Sequence, residues 1–235
     1  TATTEIYTLS LHDALRSMRE MQIIANNIAN TATTGFRQEG VLFSEYLPKE
    51  SATSMANANI ARTNFAQGGL IKTGNSLDIA LQGDGFFLVE TPAGTRLTRS
   101  GNFNVTNQGD LVTNDGFAVL DAGEAPIFVP TGRQISISAD GTLSADAQPL
   151  GQLGIVQVDD TKTLIREDGV MFEAPDGWEI SNTARVLQGH LEKSNSDAVS
   201  QIARMIEVQR GYELGQKFLD AEDERQRGVI KALMR

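Results

Sequence analysis

The stretch Leu77-Asp-Ile-Ala-Leu-Gln-Gly-Asp-Gly-Phe-Phe-Leu-Val89 sets the reading of this chain. Two short β-prone runs, 77–81 and 86–89, flank Asp84-Gly85. Asp-Gly between such runs is the strongest short-range hairpin signal, because both residues tolerate positive φ. The same pair recurs at Asp115-Gly116, Asp140-Gly141, Asp168-Gly169 and Asp176-Gly177, five times in all. Between the pairs lie Phe117-Ala-Val-Leu120, Ile127-Phe-Val129, Ile135-Ser-Ile137 and Leu153-Gly-Ile-Val-Gln-Val158. Short strands at such spacing predict an antiparallel β domain over about 76–187, of barrel or sandwich kind. Helical periods are absent there, which argues against a parallel α/β sheet.

Outside this zone the period changes. Leu11, Ala14, Met18, Met21, Ala25 and Ile28 follow one another at steps of 3 and 4. That is a heptad seam, and it predicts a helix over about 13–28, stopped by the turn-forming stretch 30–35. The other end mirrors it. From Leu191 one frame runs through Asn195, Ala198, Ile202, Met205, Gln209, Tyr212, Gln216, Leu219, Asp223, Gln226, Ile230 and Leu233. A helix over 196–234 would be ~58 Å long at about 1.5 Å per residue. The two seams predict a coiled-coil pair that brings the chain ends together. The polar positions Gln209, Gln216, Asp223 and Gln226 leave that pair to be completed by neighbouring subunits. The expected fold is therefore mostly β with terminal helices: N- and C-terminal α-helices forming a coiled-coil pair, and a central antiparallel β domain. The expected segments are 1–36 (helix and loop), 37–75 (extended linker), 76–187 (β-rich) and 188–235 (helix). Within the linker, 51–59 is small, polar and low in charge, and reads as a loop.

The 235 residues carry 20 Lys+Arg against 30 Asp+Glu, a net charge of −10, and no Cys. The acidic balance argues against a nucleic-acid partner, which needs a basic patch. No apolar run approaches the roughly 20 residues that span a bilayer, so no membrane insertion is expected. Without Cys there are no disulfides, thiol nucleophiles or Cys-based metal sites. The two histidines, His12 and His190, lack a partner at metal-ligand spacing. No catalytic, cofactor-binding or metal residue is assigned. Gly83-Asp-Gly85 runs into a strand rather than a helix, so it reads as a turn and not a phosphate cradle. The carboxylate pairs Asp159-Asp160 and Glu222-Asp223-Glu224 leave a β-rich carbohydrate-acting enzyme open, and an adhesion module is a further alternative.

Ala25-Asn-Asn-Ile-Ala-Asn30 followed by Thr33-x-Gly35-Phe36 resembles the N-terminal signature of the flagellar rod and hook proteins. The stretch 77–87 resembles the family's core motif. Thr98-Arg-Ser-Gly-Asn-Phe103, Gly109-Asp-Leu-Val-Thr113 and Gly189-His-Leu-Glu-Lys-Ser-Asn195 also match it. Ser196-Asp197 departs from the family, which has Val after Ser-Asn. Residues 1–15 fit the family poorly apart from Ile6-Tyr7, and 5–15 resemble translated sequencing-adapter sequence. Ala125-Pro-Ile-Phe-Val-Pro130 and 135–143 look most like proximal-rod members, with distal-rod members next and the longer hook proteins behind.

The resemblance implies terminal helices forming an inner coiled-coil tube, with the β domain outside it. It implies a structural, non-enzymatic subunit of the periplasmic rod in the flagellar basal body. Such a subunit is exported unfolded by the flagellar type III apparatus, and its partners are other rod proteins and itself. The expected assembly interface is Met18, Met21, Ala25, Asn26, Asn27, Ile28, Asn30, Gly35 and Phe36 at the N-terminal end. At the other end it is Ile202, Met205, Tyr212 and Leu219.

Overall fold

The strand Phe86–Thr91 is buried on both faces, and the rest of its sheet follows from that. Side chains alternate sides along a strand. Phe87 and Val89 therefore enter one apolar cluster, with Ile79, Leu81, Phe103, Leu111 and Leu143, while Phe86 and Leu88 enter another, with Leu97, Leu120, Val156 and Phe172. The Phe87 and Phe103 rings meet edge to face at 5.2 Å between centroids. Two occupied faces explain why Phe-Phe-Leu-Val shows no polar alternation.

This computed structural model describes residues 2–46, 55–130, 132–167 and 169–233. They divide into two units. Unit 2 comprises Asn30–Gln38 and Phe65–Ser196, and unit 1 comprises the chain up to Ala29, Glu39–Asn64 and the chain from Asp197.

Among the described residues of unit 2, one sheet runs in the order Ile165–Arg166, Met171–Glu173, Gly94–Thr98, Phe86–Thr91, Ala118–Val119, Leu111–Thr113, Phe103–Val105. Ile155–Gln157 joins it on Phe86–Thr91 and carries Glu179–Ile180. Smaller sheets pair Ile135–Ile137, Thr142–Ala145 and Gln148–Gln152. Two more join Ile79–Gln82 with Arg185–Gln188 and Leu70–Lys72 with His190–Glu192. All these pairings are antiparallel.

The Asp-Gly pairs divide by role. Asp115-Gly116 and Asp140-Gly141 close hairpins, with Gly116 N donating to Thr113 O at 3.0 Å and Gly141 N to Ser138 O at 2.9 Å. Gly169 stands between the paired strands Ile165–Arg166 and Met171–Glu173, and Asp168 lies outside the described residues. Asp84-Gly85 and Asp176-Gly177 instead join strands that do not pair with each other.

Unit 1 holds helix α1, Ala2–Ala29, an antiparallel ribbon of Glu39–Tyr46 with Met55–Thr63, and helix α2, Ala198–Leu233. The ribbon and Leu70–Lys72 occupy the stretch 37–75; of the segment 51–59, residues 51–54 lie outside the described residues and 55–59 are strand. Asp197 caps α2: its Oδ2 accepts from Ser200 N at 2.9 Å.

The terminal helices do not form the expected coiled-coil pair. A heptad seam buries its a and d positions, yet Met18 is 56% exposed, Ile202 is 48% exposed, and Ala25 and Gln209 also face solvent. Among the described side chains, the buried helical positions are Ile24 and Asn27 on α1 and Val208 on α2, all off that seam. One half of the α2 frame, Met205, Tyr212 and Leu219, is half-buried; the other half is displaced by one residue, onto Gln201, Val208 and Glu222. The buried apolar positions Ile24 and Val208 stand one residue off the expected seam, and polar pairs add to the contact between the helices. Asn27 Nδ2 donates to Gln201 Oε1 at 3.2 Å, and Arg204 pairs with Glu20 at 2.8 Å. Apolar spacing cannot locate such a contact, and α2 carries apolar residues on several faces. Leu11 of the expected seam lies outside the described side chains.

Candidate functional site

Three of the matched motifs converge inside unit 2 on the carboxylate of Glu192. It is delivered by the strand His190–Glu192, and its side chain has no exposed surface. Oε1 accepts from Arg37 Nη1 at 2.6 Å and from Gly68 N at 2.8 Å. Oε2 accepts from Arg99 Nε at 3.0 Å. Arg37 and Arg99 are 2% and 3% exposed. Arg99 Nη1 also donates to Gly83 O at 2.9 Å and to Gly85 O at 2.6 Å. The Gly83-Asp-Gly85 turn therefore cradles a guanidinium with its carbonyls. Burial pushes the Arg99 guanidinium down from its ordinary value; Glu192 opposes that, and the positive charge of Arg37 adds to it. Removing one partner of a buried pair leaves a desolvated charge and costs about 3–5 kcal/mol.

The segment before Arg37 is shaped by Gly35 and Phe36. Gly35 sits at φ +70°, a left-handed conformation, and its N donates to Glu192 O at 2.8 Å. A Cβ there would lie 2.5 Å from Arg99 C and Ser100 N, so no side chain fits. Phe36 is 1% exposed. The Arg166 guanidinium lies between the Phe36 and Phe172 rings, 4.9 and 4.8 Å from their centroids, and Arg166 Nη2 donates to Arg37 O. Asn195 completes the joint: its Oδ1 accepts from Gln38 N at 2.7 Å, and its Nδ2 donates to Ala66 O at 2.8 Å.

The expected interface residues are distributed as follows. Gly35 and Phe36 belong to this joint. Asn30 Oδ1 accepts from Thr33 Oγ1 at 3.0 Å, in the turn leading to it. In unit 1, Asn27 is buried and clasps Glu39 through both backbone groups, accepting from its N at 2.9 Å and donating to its O at 2.7 Å. Met21 and Ile28 are half-buried; Met18, Ala25 and Asn26 are exposed. On α2, Met205, Tyr212 and Leu219 are half-buried and Ile202 is exposed. Sequence reasoning passed over Arg37, Arg99, Arg166, Glu192 and Asn195. All but Arg37 and Arg166 lie inside motifs quoted above, and the available signal was a charged residue held within an otherwise apolar or turn-forming motif.

Among the described residues, no group of His, Asp and Glu is placed to hold a metal, and no helix is long and apolar enough to cross a membrane. Large apolar side chains stand in solvent on both helices: Leu15 and Met18 on α1, and Val199, Ile206, Leu214, Phe218 and Val229 on α2. A β body fastened by an internal ion cluster, with helices that leave apolar side chains uncovered, is the build of a structural assembly subunit.

Known proteins make the class specific. Residues 80–145 match the family described as flagellar hook protein FlgE/F/G D1 domain, and residues 187–231 match flagellar basal body rod FlgEFG protein C-terminal. The chain is 35% identical to the flagellar basal-body rod protein FlgF of Caulobacter vibrioides, over 92% of each chain. It is 34% identical to FlgG of Bacillus subtilis, over 92% of this chain and 95% of that one. It is 30% identical to FlgF of Escherichia coli, over 93% and 94%. The chain belongs to the flagellar basal-body rod protein family.

Proposed function

We propose that this chain is a structural subunit of the flagellar basal-body rod, of the proximal-rod kind. The observation that carries the reading is the end-to-end likeness to FlgF of Caulobacter vibrioides, 35% identity over 92% of both chains. The exposed apolar side chains of α1 and α2 support it, because in a rod they would be covered by other rod proteins and by further copies of this chain. The assembly faces are then Met18, Met21, Ala25, Asn26 and Ile28 on α1, and Ile202, Met205, Tyr212 and Leu219 on α2. Asn27, Asn30, Gly35 and Phe36 shape the segments that present them. The chain reaches the rod through the flagellar type III export apparatus, catalyses no reaction and binds no nucleic acid.

A distal-rod role is the second reading, favoured by the 34% identity to FlgG of Bacillus subtilis over most of both chains. Deleting the gene tests both. The expected result is loss of flagella with assembly stalled at the rod, seen in purified basal bodies by electron microscopy. A rod stub remaining on those basal bodies selects the distal reading. Normal swimming in a strain without a paralogue overturns both.

A further inference from the structure

The chain enters unit 2 at Asn30, leaves after Gln38, returns at Phe65 and leaves again after Ser196, and the three segments next to the last three of these crossings meet inside unit 2. Near each of those three, the residues inside unit 2 are held by one short segment. Glu192 holds Arg37 before the exit after Gln38 and Gly68 after the return at Phe65, at 2.6 and 2.8 Å. Asn195 holds Gln38 and Ala66 in the same two segments, at 2.7 and 2.8 Å. The third segment is the one carrying Glu192 and Asn195. Backbone bonds repeat the pattern: Gly35 N to Glu192 O at 2.8 Å, Asn195 N to Phe36 O at 3.2 Å, and Lys193 N to Gly69 O at 2.8 Å. A Cβ at Gly68 would fall 2.0 Å from Lys193 O, so the second and third segments are in backbone contact.

We propose that Glu192 and Asn195 form a latch that opens and closes all three crossing segments together, as one cooperative group separate from the sheet core. The latch works through shared partners. The Glu192 carboxylate is divided among Arg37, Gly68 N and Arg99, so withdrawing one segment leaves buried polar groups of the other two unsatisfied. Partly open states are therefore penalised relative to fully closed and fully open ones. Closure joins residues 155 and 157 positions apart, and this loop-closing entropy is met once for the whole group. Phe87, Phe103 and Leu111 make none of the latch's hydrogen bonds, and Arg99 keeps its bonds to Gly83 O and Gly85 O, so the core around them stays folded when the latch opens. The inference stands whether or not the rod reading holds.

Hydrogen–deuterium exchange on the full chain tests it. In the wild type, residues 33–38, 66–69 and 190–196 should share one opening free energy, lower than that of 86–89 and 111–113. Glu192→Gln should speed exchange in all three segments together by about tenfold or more, leaving the core within about twofold. Asn195→Ala should do the same and serves where Glu192→Gln fails to fold. Asp146→Asn, at the exposed Arg133–Asp146 pair, which bonds none of the three segments, should loosen none of them. Loosening of only the substituted segment would overturn the proposal, as would the core loosening in parallel, since Glu192 would then be an ordinary part of the core.

Discussion

A side chain at Gly35 would meet backbone on arrival, and two substitutions separate that clash from simple conformational cost. Gly35→Ala combines a left-handed φ, worth about 1–3 kcal/mol for a non-glycine residue, with a Cβ 2.5 Å from Arg99 C. Gly116→Ala, at φ +87° with nothing within 4 Å, has the conformational cost alone. Urea unfolding of the purified chain should show Gly35→Ala as clearly the more damaging of the two. Equal losses would mean that the backbone around Arg99 yields freely. Arg166→Lys should cost about 0.5–2 kcal/mol by the same assay, because an ammonium cannot stack flat between the Phe36 and Phe172 rings. The Arg96–Glu167 pair gives a pH test. The hydrogen bond from Arg96 holds the Glu167 carboxyl below the usual glutamate range. A depressed folded-state pKa stabilises above the unfolded value, and that contribution disappears as pH falls through the folded value. The stability difference between wild type and Glu167→Gln should therefore be present at neutral pH and fade in acid. A difference independent of pH would assign it to packing.

At the scale of elements, burial separates what folds the helical unit from what is left for assembly. Ile24 is 4% exposed and Met18 is 56% exposed on the same helix. Ile24→Ala should cost about 2–5 kcal/mol in the isolated chain, whereas Met18→Ala should stay within about 0.5 kcal/mol. In cells, Met18→Ala combined with Ile202→Ala should reduce motility while the purified protein keeps its circular dichroism spectrum. Swimming at the wild-type level would remove these two positions from the assembly face. Strands were legible wherever an apolar run met a turn residue, as at Phe86–Thr91, Ile135–Ile137 and Ile155–Gln157. Residues 127–129, equally apolar, form no strand; Phe128 makes only an isolated bridge to Asp110 and stands 57% exposed. The run instead bonds to two neighbours, Ile127 N to Val119 O at 3.0 Å and Val129 N to Gly109 O at 2.7 Å, without a continuous ladder to either.

At the scale of the whole molecule, the uncovered length of α2 sets the first point of attack. Leu214 and Phe218 are 66% and 64% exposed. Chymotrypsin should cut the free chain early near these residues and leave unit 2 intact, as mass spectrometry of the fragments would show. In purified basal bodies the same bonds should resist cleavage. Equal cleavage in both states would mean that α2 stays uncovered after assembly.

Period and turn chemistry, which are properties of neighbours in the chain, determined that the middle is β and that both ends are helical. They also placed five of the strands, Ile79–Gln82, Phe86–Thr91, Ala118–Val119, Ile135–Ile137 and Ile155–Gln157, missed the ribbon of Glu39–Tyr46 with Met55–Thr63, and kept phosphate chemistry away from Gly83-Asp-Gly85. The family followed from motif spelling alone. Only the tertiary structure decided how the helices meet and what the motifs are for. The contact between α1 and α2 includes the pairs Asn27–Gln201 and Glu20–Arg204, and such polar pairing leaves no apolar period to read. The ion cluster joins Arg37, Arg99 and Glu192 across separations of 155 and 93 residues. No local signal records such a partnership: a charged residue looks the same in a sequence whether it ends in solvent or buried against its opposite.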